Sequence, residues 1–204
     1  MPDDGPLILA FDTSAAHCAA ALVSGDTVLA QACEEMAKGQ AERLLALCSD
    51  LLAQCGRTTA DLDAIGVGTG PGNFTGIRIS VSAARGLALG LGIPAIGVNS
   101  FEALALGAQT PCLATVDARR DQVFVQGFGA TPFAAPGIVP ATDVAAANIP
   151  IVGVGGRTPL YPLAEAIARI TATRIAQDHP RPSPLYLRAA DAAPARDAPP
   201  TIIP

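Results

Sequence analysis

A glycine-rich loop is the sequence feature that most strongly indicates a ligand site, because it separates a predicted strand at 64–69 from a predicted helix at 77–91. Bare backbone N–H groups at a helix N-terminus bind anions such as phosphate. The loop lacks the lysine of the GxxxxGKS/T motif and does not match GxGxxG. A structural turn that lets two backbones approach closely is therefore the competing interpretation. The candidate residues of the loop, with Thr75 as the predicted N-cap, are Gly70, Gly72, Asn73, Thr75 and Gly76.

Two aspartates end predicted strands, Asp12 after the apolar run at 7–11 and Asp117 after the run at 112–116. In phosphate-handling folds an aspartate in this position can hold a metal–phosphate pair. It can also cap the following turn through its own backbone, and position alone favours the cap. The repeated pattern of buried strand, aspartate, tight turn and hairpin predicts an α/β fold with two related lobes.

Motifs for metal binding and for nucleophilic catalysis are absent from the sequence. The two histidines, His17 and His179, form no HxxxH or HExxH, and no GxSxG is present. The five cysteines have no CxxC spacing, which disfavours both a zinc site and a disulfide framework. We therefore expect free thiols in a reducing cytosol and no metal site.

Two predicted helices are candidates for contact with a partner protein. The helix at 39–55 carries one apolar stripe at i, i+4, i+7 and i+11. The helix at 77–91 is apolar or small nearly all round, which requires burial on more than one face. It is either a central core helix or a subunit interface. The candidate interface residues are Leu44, Cys48, Leu51, Ile77, Ser80, Ala84 and Leu87.

The composition indicates a folded, acidic chain. Of its 204 residues 50% are hydrophobic, and the net charge is −5. This acidity, together with a single lysine at Lys38, opposes autonomous binding of tRNA through its phosphates. The first twelve residues lack the basic region of a signal peptide, and no apolar run is long enough to span a membrane. We expect a cytoplasmic protein.

The chain resembles the TsaB (YeaZ) family in four segments, which occur in the family's order: AFDTSAAHCAAALV, GVGTGPGNFTGIRISVSAARGLALGLGIPAIGVNS, VDARRDQVF and PLYLR. The GPGxFTGxRI segment at 70–79 is highly specific. The resemblance implies an actin-like ATPase (ASKHA, ribonuclease H-like) fold with two related lobes. We predict an N-terminal lobe at 1–108, a smaller C-terminal lobe at 109–188 and a proline-rich tail at 189–204.

The resemblance also implies partners. TsaB-type subunits pair with TsaD, a paralogue that transfers threonylcarbamoyl to an adenosine next to the tRNA anticodon, and the ATPase TsaE joins them. The pairing uses mainly the family's first helices, by position 39–55 and 77–91 here, and TsaB can form a homodimer when alone. The implied role is a dimerisation or scaffold subunit that binds and activates the TsaD-type transferase and meets tRNA only through the complex.

A comparison with the catalytic paralogue predicts a pseudo-enzyme. TsaD-type chains carry a metal-binding HxxxH on a segment like VNHxxGH, whereas this chain has VNSFEAL at 98–104. Ser100 and Leu104 occupy the histidine positions; leucine cannot bind a metal and a lone serine binds poorly. We therefore predict no catalytic residue, metal ligand or cofactor. The alternatives are a small ATP-dependent, kinase-like ASKHA enzyme, a metallopeptidase-like protein, or a direct tRNA-binding module.

Overall fold

The computed structural model describes residues 5–130 and 132–188 as two β-sheets with helices packed against them. The strands of the first sheet are β1 (Leu7–Asp12), β2 (His17–Ser24), β3 (Thr27–Glu35), β4 (Ala64–Gly68) and β5 (Ala95–Val98). Their order is β3-β2-β1-β4-β5. The first three strands form an antiparallel meander, while β4 pairs parallel with β1 and with β5. Every residue of β1 is buried, which explains its continuous apolar run.

The second sheet repeats this arrangement with fewer strands. Its strands are β6 (Cys112–Asp117), β7 (Gln122–Phe128), β8 (Gly137–Pro140) and β9 (Ile151–Gly153). Their order is β8-β7-β6-β9, with an antiparallel meander from β6 to β8 and β9 parallel to β6. This order corresponds to β3-β2-β1-β4 of the first sheet. The prediction of an α/β fold with two related lobes is therefore confirmed.

In the part of the chain that the structure describes, five α-helices cover these sheets: α1 (Gln40–Gln54), α2 (Phe74–Leu91), α3 (Ser100–Ala105), α4 (Ala141–Ala146) and α5 (Leu163–Arg174). Helices α1 and α2 enclose one core on the first sheet, and α5 encloses a second core with residues such as Ile8 and Ala10. Helix α3 places Phe101 in the core of the second sheet. Within the described residues, none of the helices combines the length and hydropathy needed to cross a membrane.

The predicted division into lobes stays a prediction. Helix α5 falls within the predicted C-terminal lobe at 109–188, yet its side chains pack against the first sheet. The chain therefore returns to the first sheet after building the second. Residues 175–188 contain no helix or strand, as their proline content indicates. The predicted tail at 189–204 lies outside the described residues.

Helix α2 begins one turn earlier than the sequence pattern predicts. Its N-cap is Asn73, whose side-chain oxygen accepts a hydrogen bond from Gly76 N at 2.9 Å. The prediction of Thr75 as the cap is wrong, because Thr75 lies inside the first turn. The helix ends at Leu91, and its C-cap residue Gly92 has a φ of 70°, a conformation that favours glycine. Strand β8 was not predicted at all.

Candidate functional site

A cleft of about 940 Å³ lies where the carboxyl ends of strands from both sheets meet. This is the edge at which open α/β sheets bind ligands, and the volume lies within the range of small-molecule sites. The turn after β1, the glycine loop, the β6–β7 turn, the loop after β9 and the segment at 185–188 all contribute to its walls. The cleft is therefore the principal candidate for a ligand site.

Asp12 is fully buried beside this cleft and caps the turn after β1. Its Oδ1 accepts hydrogen bonds from the backbone N and the Oγ of Ser14, both at 2.8 Å, and lies 2.8 Å from His17 Nε2. Its Oδ2 has no hydrogen-bond partner within the described chain. Asp117 caps its own turn similarly, since its Oδ1 accepts from Arg119 N at 2.8 Å. Both aspartates make the contacts that turn capping requires.

The glycine loop is fastened to the turn after β1. Asn73 N donates to Ser14 O at 2.6 Å, and Thr13 Oγ1 donates to Gly76 O at 2.7 Å. A Cβ on Gly72 would overlap the Ser14 carbonyl oxygen, and a Cβ on Gly76 would overlap that of Thr13. These glycines permit close backbone approach, as the structural interpretation of the loop requires. Phosphate binding by this loop stays a prediction.

Gly76→Ala is expected to destabilise the protein by about 2 to 3 kcal/mol, because the new methyl group meets a backbone carbonyl that cannot rotate away. The matched control is Gly86→Ala in the same helix, where a Cβ meets nothing within 4 Å. That change is expected to stabilise the helix by about 0.5 to 1 kcal/mol. Urea unfolding measures both variants, and equal stabilities would contradict the close-approach role of Gly76.

The cleft is cationic although the chain is acidic. Arg119, Arg120 and Arg188 line it, and none forms an ion pair within the described residues, whereas Asp117 is the one carboxylate among the lining residues. Residues 119–121 all have positive φ, between 53° and 62°. Three consecutive non-glycine residues rarely adopt this conformation. From the sequence this segment is predicted only as a turn, because hydrophobic periodicity carries no information about the sign of φ.

The buried thiols of Cys18 and Cys48 are unsuited to nucleophilic catalysis. All five cysteines are free, and burial raises the pKa of Cys18 to about 11 and that of Cys48 to about 12. The carboxylate of Glu34 adds to the effect at Cys18. These two thiols are therefore protonated at neutral pH and poor nucleophiles. Within the described residues, no three His, Cys, Asp or Glu side chains form a group that could hold a metal ion.

Ser100 and Leu104, one helical turn apart on α3, both line the cleft. Ser100 is buried, and its hydroxyl donates to Pro71 O at 3.4 Å. At the positions where the resemblance places two metal-binding histidines, the cleft thus presents an engaged hydroxyl and an aliphatic side chain. These side chains offer a divalent metal no strong ligand.

The structure places most of the candidate interface residues inside the protein. Six of the seven are at most 3% exposed and belong to or adjoin the core under α1 and α2, namely Leu44, Cys48, Leu51, Ile77, Ser80 and Ala84. Leu87 is half-buried against the same core. The role of these residues at an interface stays a prediction, but in the free chain their side chains are enclosed by the core and not exposed to a partner. A partner that docks on the closed helix pair would contact other side chains.

The opposite sides of α1 and α2 form one solvent-exposed surface, here called the outer face. Leu45 is 49% exposed on α1 and Leu89 is 84% exposed on α2. Small exposed residues surround these leucines, namely Ala46, Ser49, Ala53, Ser82, Gly86 and Gly90, and the exposed charged residues of the same helices include Asp50, Arg78 and Arg85. Small residues around exposed leucines let another helix approach closely.

The described fold and the sequence are similar to those of known proteins. The family model described as TsaD: tRNA N6-adenosine threonylcarbamoyltransferase matches residues 27–131. The tRNA threonylcarbamoyladenosine biosynthesis protein TsaB of Bacillus subtilis is 33% identical over 198 residues, which cover 87% of this chain and 84% of that protein. The Escherichia coli protein of the same name is 39% identical over 122 residues, 57% of this chain and 52% of that protein. The match thus spans about half of the Escherichia coli relative.

Solved structures of similar fold carry the same family name, YeaZ. YeaZ from Pseudomonas aeruginosa is 25% identical with a TM-score of 0.67, and the match covers 89% of this chain and all of that one. A second Pseudomonas aeruginosa structure, described as having similarity to peptidase YeaZ, gives a TM-score of 0.71 at 25% identity, with coverages of 90% and 100%. Together with the two strand orders, these matches confirm the predicted actin-like fold.

Proposed function

Because the chain belongs to the TsaB (YeaZ) family, we propose that it is the non-catalytic scaffold subunit that binds and activates a TsaD-type transferase. Curated relatives are named for tRNA threonylcarbamoyladenosine biosynthesis, and a part in that modification follows for this chain. The scaffold role, the TsaD-type partner, the TsaE-type ATPase and a homodimer of the free chain are our proposal. In this proposal tRNA is contacted only through the complex.

The outer face of α1 and α2 carries this proposal. Leu89, with 84% of its surface exposed, lies beside Gly86, Gly90 and Arg85 on a helix whose other side packs against the core. An exposed leucine costs little in isolation but contributes strongly when a partner covers it. Helix pairs with small residues between leucines fit the close approach of a similar helix pair. A paralogous subunit with the same fold would supply such a pair.

The chemistry of the cleft supports a non-catalytic role. Transfer of a threonylcarbamoyl group requires stabilisation of the charge that develops on oxygen, for which a metal ion is one means. In place of metal-binding histidines the cleft presents Ser100 and Leu104. Cys18 and Cys48 are held as neutral thiols. These features favour a chain that contributes surface rather than reacting groups.

Light scattering after size exclusion tests this function directly. The chain alone is expected to elute as a monomer or homodimer, and a mixture with the matching TsaD-type subunit to elute as a one-to-one complex that replaces any homodimer. Replacement follows because both species would use the same outer face. Two independent peaks at tens of micromolar, with TsaE-type ATPase also present, would contradict the proposal.

A second candidate function, a small ATP-dependent enzyme, is favoured by the arginine-lined cleft. Arg119, Arg120 and Arg188 give an anionic ligand a local positive potential. The glycine loop nevertheless lacks a phosphate-binding lysine. Turnover of ATP by the pure chain, abolished by Arg119→Gln, would support this candidate over the scaffold role.

A further inference from the structure

Arg78, in the first turns of α2, is exposed yet held in one position. Its guanidinium carbon lies 3.9 Å from the ring centroid of Phe74 and 5.9 Å from that of Tyr186. Its Nε donates a hydrogen bond to Tyr186 Oη at 2.9 Å. The two aromatic rings contact each other, with centroids 4.7 Å apart. Stacking and a hydrogen bond together orient an arginine more strongly than either contact alone.

Tyr186 can orient Arg78 because its own segment is anchored at several points. Leu185 N donates to Thr69 O at 2.8 Å, at the end of β4. Arg188 donates to Gln122 Oε1 at 2.7 Å, on the second sheet. Pro182 is buried against the first sheet near Gly97. The segment at 182–188 thus joins both sheets and fixes the aromatic ring that positions Arg78.

Arg78 differs from three other oriented arginines in having no carboxylate. Arg43, Arg169 and Arg174 each form an ion pair with an aspartate or glutamate. Arg78 has no such partner within the described residues, and its two terminal amino groups make no hydrogen bond there. A guanidinium has five N–H donors, and those of the terminal amino groups form a fork that matches two oxygens of one carboxylate or phosphate. The guanidinium of Arg78 is therefore oriented, but no carboxylate of the described residues balances its charge.

The position of Arg78 connects it with the outer face. Arg78, Ser82, Arg85 and Leu89 form one exposed stripe along α2, a helix without any aspartate or glutamate. Arg78 and Leu89 are about 16 Å apart along the helix axis. A standard interface buries about 800 Å² on each partner, and a patch of that area is wide enough to include both residues. A partner that covers Leu89 would also meet Arg78.

We propose that Arg78 is a preorganised receptor for a carboxylate of the partner subunit, and that it contributes specificity at one end of the outer face. The inference rests on the proposed function, because it requires that a partner covers α2. An aspartate or glutamate opposite Arg78 would make two parallel hydrogen bonds to its fork. Phe74 and Tyr186 act as positioning residues, since they hold the guanidinium and do not contact the carboxylate.

The test measures the dissociation constant of the complex with the TsaD-type subunit by calorimetry, using Arg78→Gln, Arg78→Lys and Arg85→Gln. We expect Arg78→Gln to weaken binding about 10- to 50-fold. Arg78→Lys should weaken it almost as much, because an ammonium group cannot make the paired hydrogen bonds. Arg85→Gln is the matched control on the same stripe, without aromatic positioning, and should change binding less than about threefold. Tyr186→Phe, which removes only the hydrogen-bonding oxygen, should weaken binding severalfold.

Each outcome distinguishes this inference from the proposed function. Binding within twofold of wild type for Arg78→Gln, while Leu89→Asp loses the complex, overturns the receptor role and leaves the scaffold role intact. Wild-type affinity of the Arg78→Lys variant overturns the paired hydrogen bonds to one carboxylate. Unchanged protein affinity with weaker binding of tRNA by the assembled complex assigns the anion to a phosphate and overturns the carboxylate. Failure of the wild-type chain to bind overturns both proposals.

Discussion

Leu89→Asp is expected to weaken the complex with the TsaD-type subunit by at least about 100-fold while the free chain stays folded. Its side chain is 84% exposed, so the substitution should change the free energy of unfolding by less than about 0.5 kcal/mol. In the complex, the new carboxylate would lose its hydration where the wild type buries an apolar side chain, and an ion pair with Arg85, one turn away on α2, would recover only part of that cost. A loss of about 3 kcal/mol of binding free energy corresponds to this factor.

The control for this prediction is Leu160→Asp. Leu160 is 64% exposed, like Leu89 an apolar side chain on the surface, but it lies in the loop before α5 and not on the helix pair. We expect its complex to have wild-type affinity. Titration calorimetry measures both variants, and circular dichroism shows that each is folded. If Leu89→Asp still forms a one-to-one complex at micromolar concentration, the outer face is not the contact surface.

The two-lobed architecture could be predicted because the same sequence pattern, an apolar run that ends in an aspartate, occurs twice. Each sheet begins with a buried strand that ends in an aspartate, Asp12 in one and Asp117 in the other, followed by a hairpin. Burial on both faces forces such strands to be continuous apolar runs, which local sequence records directly. Strand β8 is only four residues long and half-buried, so it leaves no comparable pattern.

The interface residues could not be predicted by the same means. A stripe such as Leu44, Cys48 and Leu51 shows which face of a helix is apolar, but not whether its own sheet or another chain covers that face. Here the sheet covers it. The outer face consists mainly of glycine, alanine and serine, which periodicity treats as neutral. Leu45 and Leu89 are the large apolar residues of this face. In the sequence each adjoins a core residue, so the pattern assigns both to the core.

The positioning of Arg78 could not be predicted from local sequence either. Arg78 and Tyr186 are 108 residues apart, and their contact depends on a chain segment without helix or strand. The hydrogen bonds of Leu185 and Arg188 anchor this segment to both sheets. What they anchor, an aromatic ring over the first turns of α2, is a property of the folded chain.

Ala84→Asp is expected to destabilise the fold of the free chain rather than to disrupt only the contact with a partner. The sequence pattern alone suggests that a charge at this position breaks the complex, and a pull-down experiment would give that result. Ala84, however, is fully buried against the first sheet, in the core that contains Leu9 and Ile65. An unpaired carboxylate there costs about 4 kcal/mol or more, a large part of a total stability of about 5 to 15 kcal/mol.

The distinction requires a measurement on the free chain. Thermal unfolding of Ala84→Asp should show a midpoint lowered by more than about 10 °C or no cooperative transition at all. Ser82→Asp, two residues away on the exposed side of α2, should unfold like the wild type. If Ala84→Asp unfolds at the wild-type temperature and still loses the partner, Ala84 must become accessible on binding. The contact surface would then be the inner side of α2, and the helix pair would have to open to form the complex.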